Sequence, residues 1–113
     1  MRPVRVAVPA DDVSVVVPID IYQKGPITVS IAEATGTPDI DVEYTLDDIW
    51  DPAVTPGWFP AGLPLNAVDA TPAAGRLVDA DTDQPVTPTA VRAINNNAAS
   101  TAVMTIVQSG IQG

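Results

Sequence analysis

Carboxylates are the main chemical resource of this chain: 14 Asp and Glu stand against 5 Lys and Arg, with no His and no Cys. Asp79, Asp81 and Asp83 alternate, as at the start of a calcium loop. Calcium takes about six to eight hard oxygen ligands, and alternate carboxylates supply some of them. An EF-hand would need Gly where Gln84 stands and Glu where Ala90 stands, so the segment reads as a solvated acidic loop. Glu43, Asp47, Asp48 and Asp51 form a second acidic group. Two carboxylates can divide the acid and base roles of glycoside hydrolysis. Here no companion residues outline a sugar cleft, and without surroundings that shift their pKa these groups are surface charge. Ser and Thr are plentiful, but no His activates them, and Ser109-Gly110 lacks the strand-to-helix elbow of a nucleophile. A proton shuttle near neutral pH ordinarily needs His, and a thiol or zinc site needs Cys or His. The expectation is a non-enzymatic protein with no cofactor and no metal.

Recognition chemistry is a different matter. Trp50, Trp58 and Phe59 are three of the five aromatics and fall in a segment broken by Pro52, Pro56 and Pro60. Aromatics in such a loop either anchor an interface or fold back to plug the end of the core, and both uses bury large areas. Arg92 lies inside a strand pattern. It is either a partner's salt bridge or a solvent-side residue between inward Val91 and Ala93, and alternation favours the second.

The elements that position these residues are strands. Residues 4–8, 27–31 and 40–45 alternate with period 2, and 13–19 is a β-branched run. Residues 27–31 and 40–45 read as a hairpin closed at Thr35-Gly36-Thr37-Pro38. The prolines forbid a regular central strand across 47–62. Short strands are expected at 63–68 and 76–78, with small polar loops between. Residues 89–94 and 102–107 read as a second hairpin with its tip at 95–100, because Asn tolerates left-handed backbone. Seven or eight short strands and no helical period predict an all-β fold: a small antiparallel β-sandwich or jelly-roll-like domain with a Pro- and Trp-containing loop.

The 113 residues suffice for one domain, 1–113. A 46% hydrophobic content argues against disorder, despite 12 prolines and a net charge of −9. That charge and the scattering of Arg2, Arg5, Lys24, Arg76 and Arg92 disfavour nucleic acid as a partner. No apolar run reaches the roughly 20 residues of a membrane span, and the N-terminus does not read as a signal peptide. The expectation is a soluble protein made in the cytoplasm. The modest core of small side chains and the strand edges point to a homo-oligomer, a trimer or dimer. Residues 1–8 are a candidate extended arm crossing to a neighbour through Arg2, Val4 and Val6.

Five segments, taken in order, carry a resemblance. They are Val17-Pro18-Ile19-Asp20-Ile21-Tyr22-Gln23, Val42-Glu43-Tyr44-Thr45-Leu46-Asp47-Asp48, Trp58-Phe59, Ala90-Val91-Arg92-Ala93-Ile94 and Val103-Met104-Thr105-Ile106-Val107-Gln108-Ser109-Gly110. In this order the chain resembles small structural proteins of tailed bacteriophages, in particular capsid decoration, or cement, proteins. Residues 49–85 are the least matched. The resemblance implies a β-sandwich or jelly-roll domain with no catalytic residues. It implies the phage major capsid protein as partner and the outer capsid surface of the virion as location. A tail, neck or head-fibre component has similar architecture. A carbohydrate-binding β-module would use Trp50 and Trp58 as a stacking platform.

Overall fold

The computed structural model describes residues 4–8, 14–19, 27–62, 65, 68–69, 72–97 and 100–108. Nine strands run through them: β1 (Val4–Val8), β2 (Ser14–Pro18), β3 (Ile27–Thr35), β4 (Asp39–Thr45), β5 (Trp58–Pro60), β6 (Val68–Asp69), β7 (Ala73–Arg76), β8 (Ala90–Asn95) and β9 (Thr101–Gln108). No helix occurs among the described residues. Every strand pairing is antiparallel.

Period-2 patterning builds the two layers. In β4, Ile40, Val42 and Tyr44 are buried while Asp41 and Glu43 are half-exposed; in β9, Ala102, Met104 and Ile106 are buried and Val103, Thr105 and Val107 are half-exposed. Sheet A has the order β1-β9-β3-β7. Sheet B has the order β2-β8-β4, with β5 and β6 both along the outer edge of β4. The inward rows meet in a single core that includes Val29, Ile31, Ile40, Val42, Met104 and Ile106. Each such side chain stabilises the fold by about 1.5–3 kcal/mol when buried.

The expected β-sandwich is therefore observed, and its strand order is jelly-roll-like. β1 pairs with β9, β2 with β8, β3 with β7, and β4 with β5 and β6. This is a long antiparallel ribbon folded over so that β9 also meets β3 and β8 also meets β4.

The two expected hairpins are not hairpins. β3 belongs to sheet A and β4 to sheet B, so the link at 36–38 crosses between layers; β8 and β9 are divided in the same way. Gly36 turns the first link with a φ of 73°, a value open to Gly at little cost. Among the described residues the Asn run at 95–97 does not use left-handed backbone. Its side chains stitch the two crossings together instead. Asn97 Nδ2 donates to Thr37 O at 2.7 Å, and Asn95 Oδ1 accepts from the Asp39 and Asn97 N–H groups at 3.2 and 3.0 Å. Buried Asn95 also donates through Nδ2 to Ser100 O and Oγ.

Other expectations shift. The Pro-containing segment does form a strand, β5, but a three-residue one on an edge, ending at Pro60. The strand expected at 63–68 is reduced to β6; Leu65 is a buried bend, and 63, 64, 66 and 67 lie outside the described residues. The strand expected at 76–78 lies earlier, at β7, because its register on β3 runs from Thr28↔Arg76 to Ile31↔Ala73. Residues 4–8 of the expected arm are in strand form within this chain. They form β1, paired with β9 of their own chain from Val4↔Ile106 to Val8↔Ala102. Val8 is fully buried and Val6 packs on the core, while Val4, Arg5 and Ala7 are exposed. Arg2 lies outside the described residues.

Candidate docking loop

β4 ends at Thr45, and residues 46–57 carry the chain to β5, which returns along the same strand with Thr45↔Trp58 and Tyr44↔Phe59. Two prolines, Pro52 and Pro56, and the side chains of Asp47, Asp48, Asp51 and Thr89 decide the course between. Asp48 Oδ1 accepts the N–H of Trp50 at 2.9 Å, and Asp51 Oδ1 accepts that of Ala53 at 2.9 Å, two successive side-chain-capped turns. Backbone bonds from Asp51 N to Asp48 O and from Val54 N to Asp51 O reinforce them. Asp47 Oδ2 accepts from Gly57 N at 2.7 Å, closing the loop across ten residues. On the other side Thr89 Oγ1 donates to Asp47 O, and Thr89 N donates to Thr45 O at 2.9 Å. Of the second acidic group, Asp47, Asp48 and Asp51 are thus the framework of a turn.

This framework holds apolar side chains in water. Trp50 is 76% exposed, Leu46 58% and Phe59 48%, and Val54 is also exposed. The aromatics do not fold back to plug the sandwich. The residues buried in the core are instead Tyr44, Ala61, Leu65 and Leu77. Phe59 leans on Tyr44 with ring centroids 5.7 Å apart, so it is fixed from beneath while its outer side stays exposed. Leu46 and Val54 were missed at the level of sequence. Val54 sits in the Pro-broken segment with no alternating partner, whereas Leu46 continues the alternation of Ile40, Val42 and Tyr44, which places it inward; it is exposed because β4 ends at Thr45.

Trp58 has a different role. Its ring lies on the outer face of sheet B with the Arg92 guanidinium 4.4 Å from the ring centre. Arg92 in turn holds Glu43 through Nε at 2.7 Å and Nη2 at 2.6 Å. Glu43 and Arg92 are directly opposed in register, so three neighbouring strands are joined by one cation shared between a ring and a carboxylate. Arg92 is the solvent-side residue that alternation predicted, with an intramolecular partner. The stacking platform expected of a sugar-binding module is compromised, because the guanidinium already occupies a face of Trp58.

The acidic loop at 79–83 is also built around one residue. Asp79 Oδ1 accepts the Tyr44 hydroxyl at 2.5 Å, and Oδ2 accepts the N–H groups of Asp81 and Thr82 at 3.0 Å each. Asp83 closes the turn with a φ of 57°, its N–H donating to Asp79 O at 2.9 Å. The Tyr44 hydrogen bond, followed by the Thr82 N–H, holds the Asp79 carboxyl below the usual carboxylate range. Burial first, then the bond to Asp79, pushes the Tyr44 phenol up to about 12. Among the described residues, no group of three or more acidic side chains is arranged to hold a metal ion. Comparison with family models, curated proteins and solved structures finds no match.

Proposed function

We propose that this protein is a non-enzymatic virion component that binds the outer surface of a phage head and stabilises it, as decoration or cement proteins do. The observation that carries the reading is the 46–57 loop: internally hydrogen-bonded, and exposing Trp50 over 76% of its surface. An ordered aromatic held in water is unusual for a side chain with no contact to make, and Trp leads among residues that dominate interfaces. Little ordering entropy is lost when a preformed loop docks. Asp47, Asp48 and Asp51 surround the apolar residues in sequence with no Lys or Arg between 46 and 60. The complementary surface is an apolar pocket with a basic or hydrogen-bonding rim. The resemblance to phage decoration proteins and the jelly-roll-like strand order supply the rest.

Size fits the role. One standard contact covers about 800 Å² per partner, roughly an eighth of the 6352 Å² surface, so the domain has room to bridge two capsid subunits. The test is to strip or omit the protein from heads and heat them. Heads without it are expected to release DNA at lower temperature, and adding the protein back restores them. Trp50→Ala is expected to weaken binding by about 2 kcal/mol, roughly 30-fold. Equal thermal release with and without the protein, or labelling confined to the tail, ends this reading in favour of a tail, neck or head-fibre component.

A further inference from the structure

The edge strands of the two sheets are not equally protected against pairing. β5 is three residues ending at Pro60, β6 is two and carries Asp69, β7 contains Gly75 and ends at Arg76, and β1 carries Arg5. β2, the outer strand of sheet B, is Ser14-Val15-Val16-Val17-Pro18, with no charged residue in it. Among the described residues no strand pairs with its outer side. Ile19 N donates to Thr89 O at 2.9 Å, so the backbone groups of Val15, Val17 and Ile19 turn toward β8. By alternation those of Ser14, Val16 and Pro18 turn outward. Pro18 thus stands where its missing N–H costs no bond within the sheet. Val16 is also 42% exposed. The other exposed large apolar side chains among the described residues are Leu46, Trp50, Val54 and Phe59 of the docking segment, and Val4 on β1.

We infer that two copies of the chain join edge to edge through β2, antiparallel and two-fold related, so that sheet B runs on into sheet B of the second copy. A row of outward N–H and C=O groups at strand spacing is complemented by another strand. That strand is a second β2, because the outward groups match themselves about a two-fold axis. With Val16 opposite Val16 of the second copy, Val16 N–H donates to Val16 O in both directions. Ser14 N–H donates to Pro18 O in both directions. Every outward N–H of β2 then has an acceptor, and Pro18 is asked only to accept. The two Val16 side chains meet on one face of the joined sheet. Charge permits the join. Asp39, Asp41 and Glu43 lie on β4, and the 46–57 loop lies beyond it. β4 and its copy stand five strand spacings apart, about 24 Å, against a screening length of about 8 Å at physiological salt. Asp11, Asp12 and Asp20 flank the strand in sequence, so the join is expected to tighten as salt is raised. The pairing leaves the 46–57 loop free at the opposite edge of the sheet, and it does not depend on the capsid reading.

The test uses the full chain in sedimentation velocity over a concentration series at about 0.15 M salt. Wild type is expected to dimerise. Val16→Lys brings two like charges together at the centre of the pairing and is expected to weaken the dimer about 100-fold or more. Val4→Lys is the matched control, an exposed Val on the edge strand of sheet A, and is expected to dimerise like wild type. Thermal melts establish that both variants are folded. Because the chain has no Cys, oxidation of single-Cys variants reads the register. Val16→Cys is expected to link two copies, since directly paired Cα atoms are about 5.5 Å apart, within disulfide reach. Ser14→Cys is expected to stay unlinked, because its two copies stand about four residues out of register, roughly 13 Å. A concentration-independent wild-type monomer overturns the inference. So does a dimer that Val16→Lys leaves intact or that Val4→Lys dissolves equally, and so does linkage through Ser14→Cys in place of Val16→Cys. If wild type is monomeric and Val16→Lys instead reduces binding to heads, self-pairing is overturned and the edge belongs to a strand of another protein.

Discussion

Tyr44 and Asp79 are each set by the other. The phenol is buried and needs an acceptor; the carboxylate supplies one and is held in place by two backbone N–H groups. The pair shapes stability at both ends of the pH scale. Asp79 titrates lower in the folded protein, so its contribution is complete above the ordinary carboxylate range and is lost as pH falls through the depressed value. Tyr44 titrates higher, so its contribution is complete below the ordinary phenol range and is lost as pH rises from about 10 toward about 12. Tyr44→Phe is expected to lower the melting temperature at neutral pH and to flatten both limbs of the curve. Melts of wild type and variant from acid to alkaline pH check this. An unchanged acid limb would show that Asp79 owes its low pKa to the loop N–H groups alone.

At the scale of elements, the 46–57 loop shows how a Pro-rich segment becomes ordered without regular structure. Asp47 is its clasp, accepting from Gly57 through the side chain and from Thr89 through the backbone. Asp47→Ala keeps the second contact and removes the first. The expected outcome is faster hydrogen exchange at residues 48–57, with a global stability loss of no more than about 1 kcal/mol, because the core is untouched. Head binding under the proposed function is expected to weaken although no contact residue has changed, since the loop must then be ordered on docking. Equal exchange in both proteins would mean that the turns at Asp48 and Asp51 suffice. Asn95 performs the same kind of service for the two crossings, where one buried amide satisfies groups from both arches.

Placement governs the energetics of the whole molecule more than residue type does. Met104 is fully buried on β9, a central strand of sheet A, whereas Leu46 is 58% exposed at the end of β4. Met104→Ala is expected to cost about 2–5 kcal/mol, a large share of the roughly 5–15 kcal/mol that holds a domain together. Leu46→Ala, an equally drastic truncation on paper, is expected to stay within about 0.5 kcal/mol. Chemical denaturation of the two variants checks the contrast. Comparable losses would place Leu46 in a packed environment and would remove it from the docking loop's exposed set.

The sequence by itself determined the class of fold, the position of most strands and the inward rows of β4, β8 and β9. Period-2 alternation is a local property, written in neighbouring residues such as Ile40, Val42 and Tyr44. It also determined that Arg92 faces away from the core. Which strand pairs with which was decided only in three dimensions. Short links after β3 and β8 look alike whether they close a hairpin or cross between sheets, and the outcome rests on hydrogen bonds to distant strands. For the same reason Asp79 could not be seen to meet Tyr44, nor Asp47 to meet Thr89. The exposure of Trp50 and the burial of Leu65 also belong to tertiary structure: both are large apolar residues near prolines, and only the shape of the assembled sandwich leaves one outside and takes the other in.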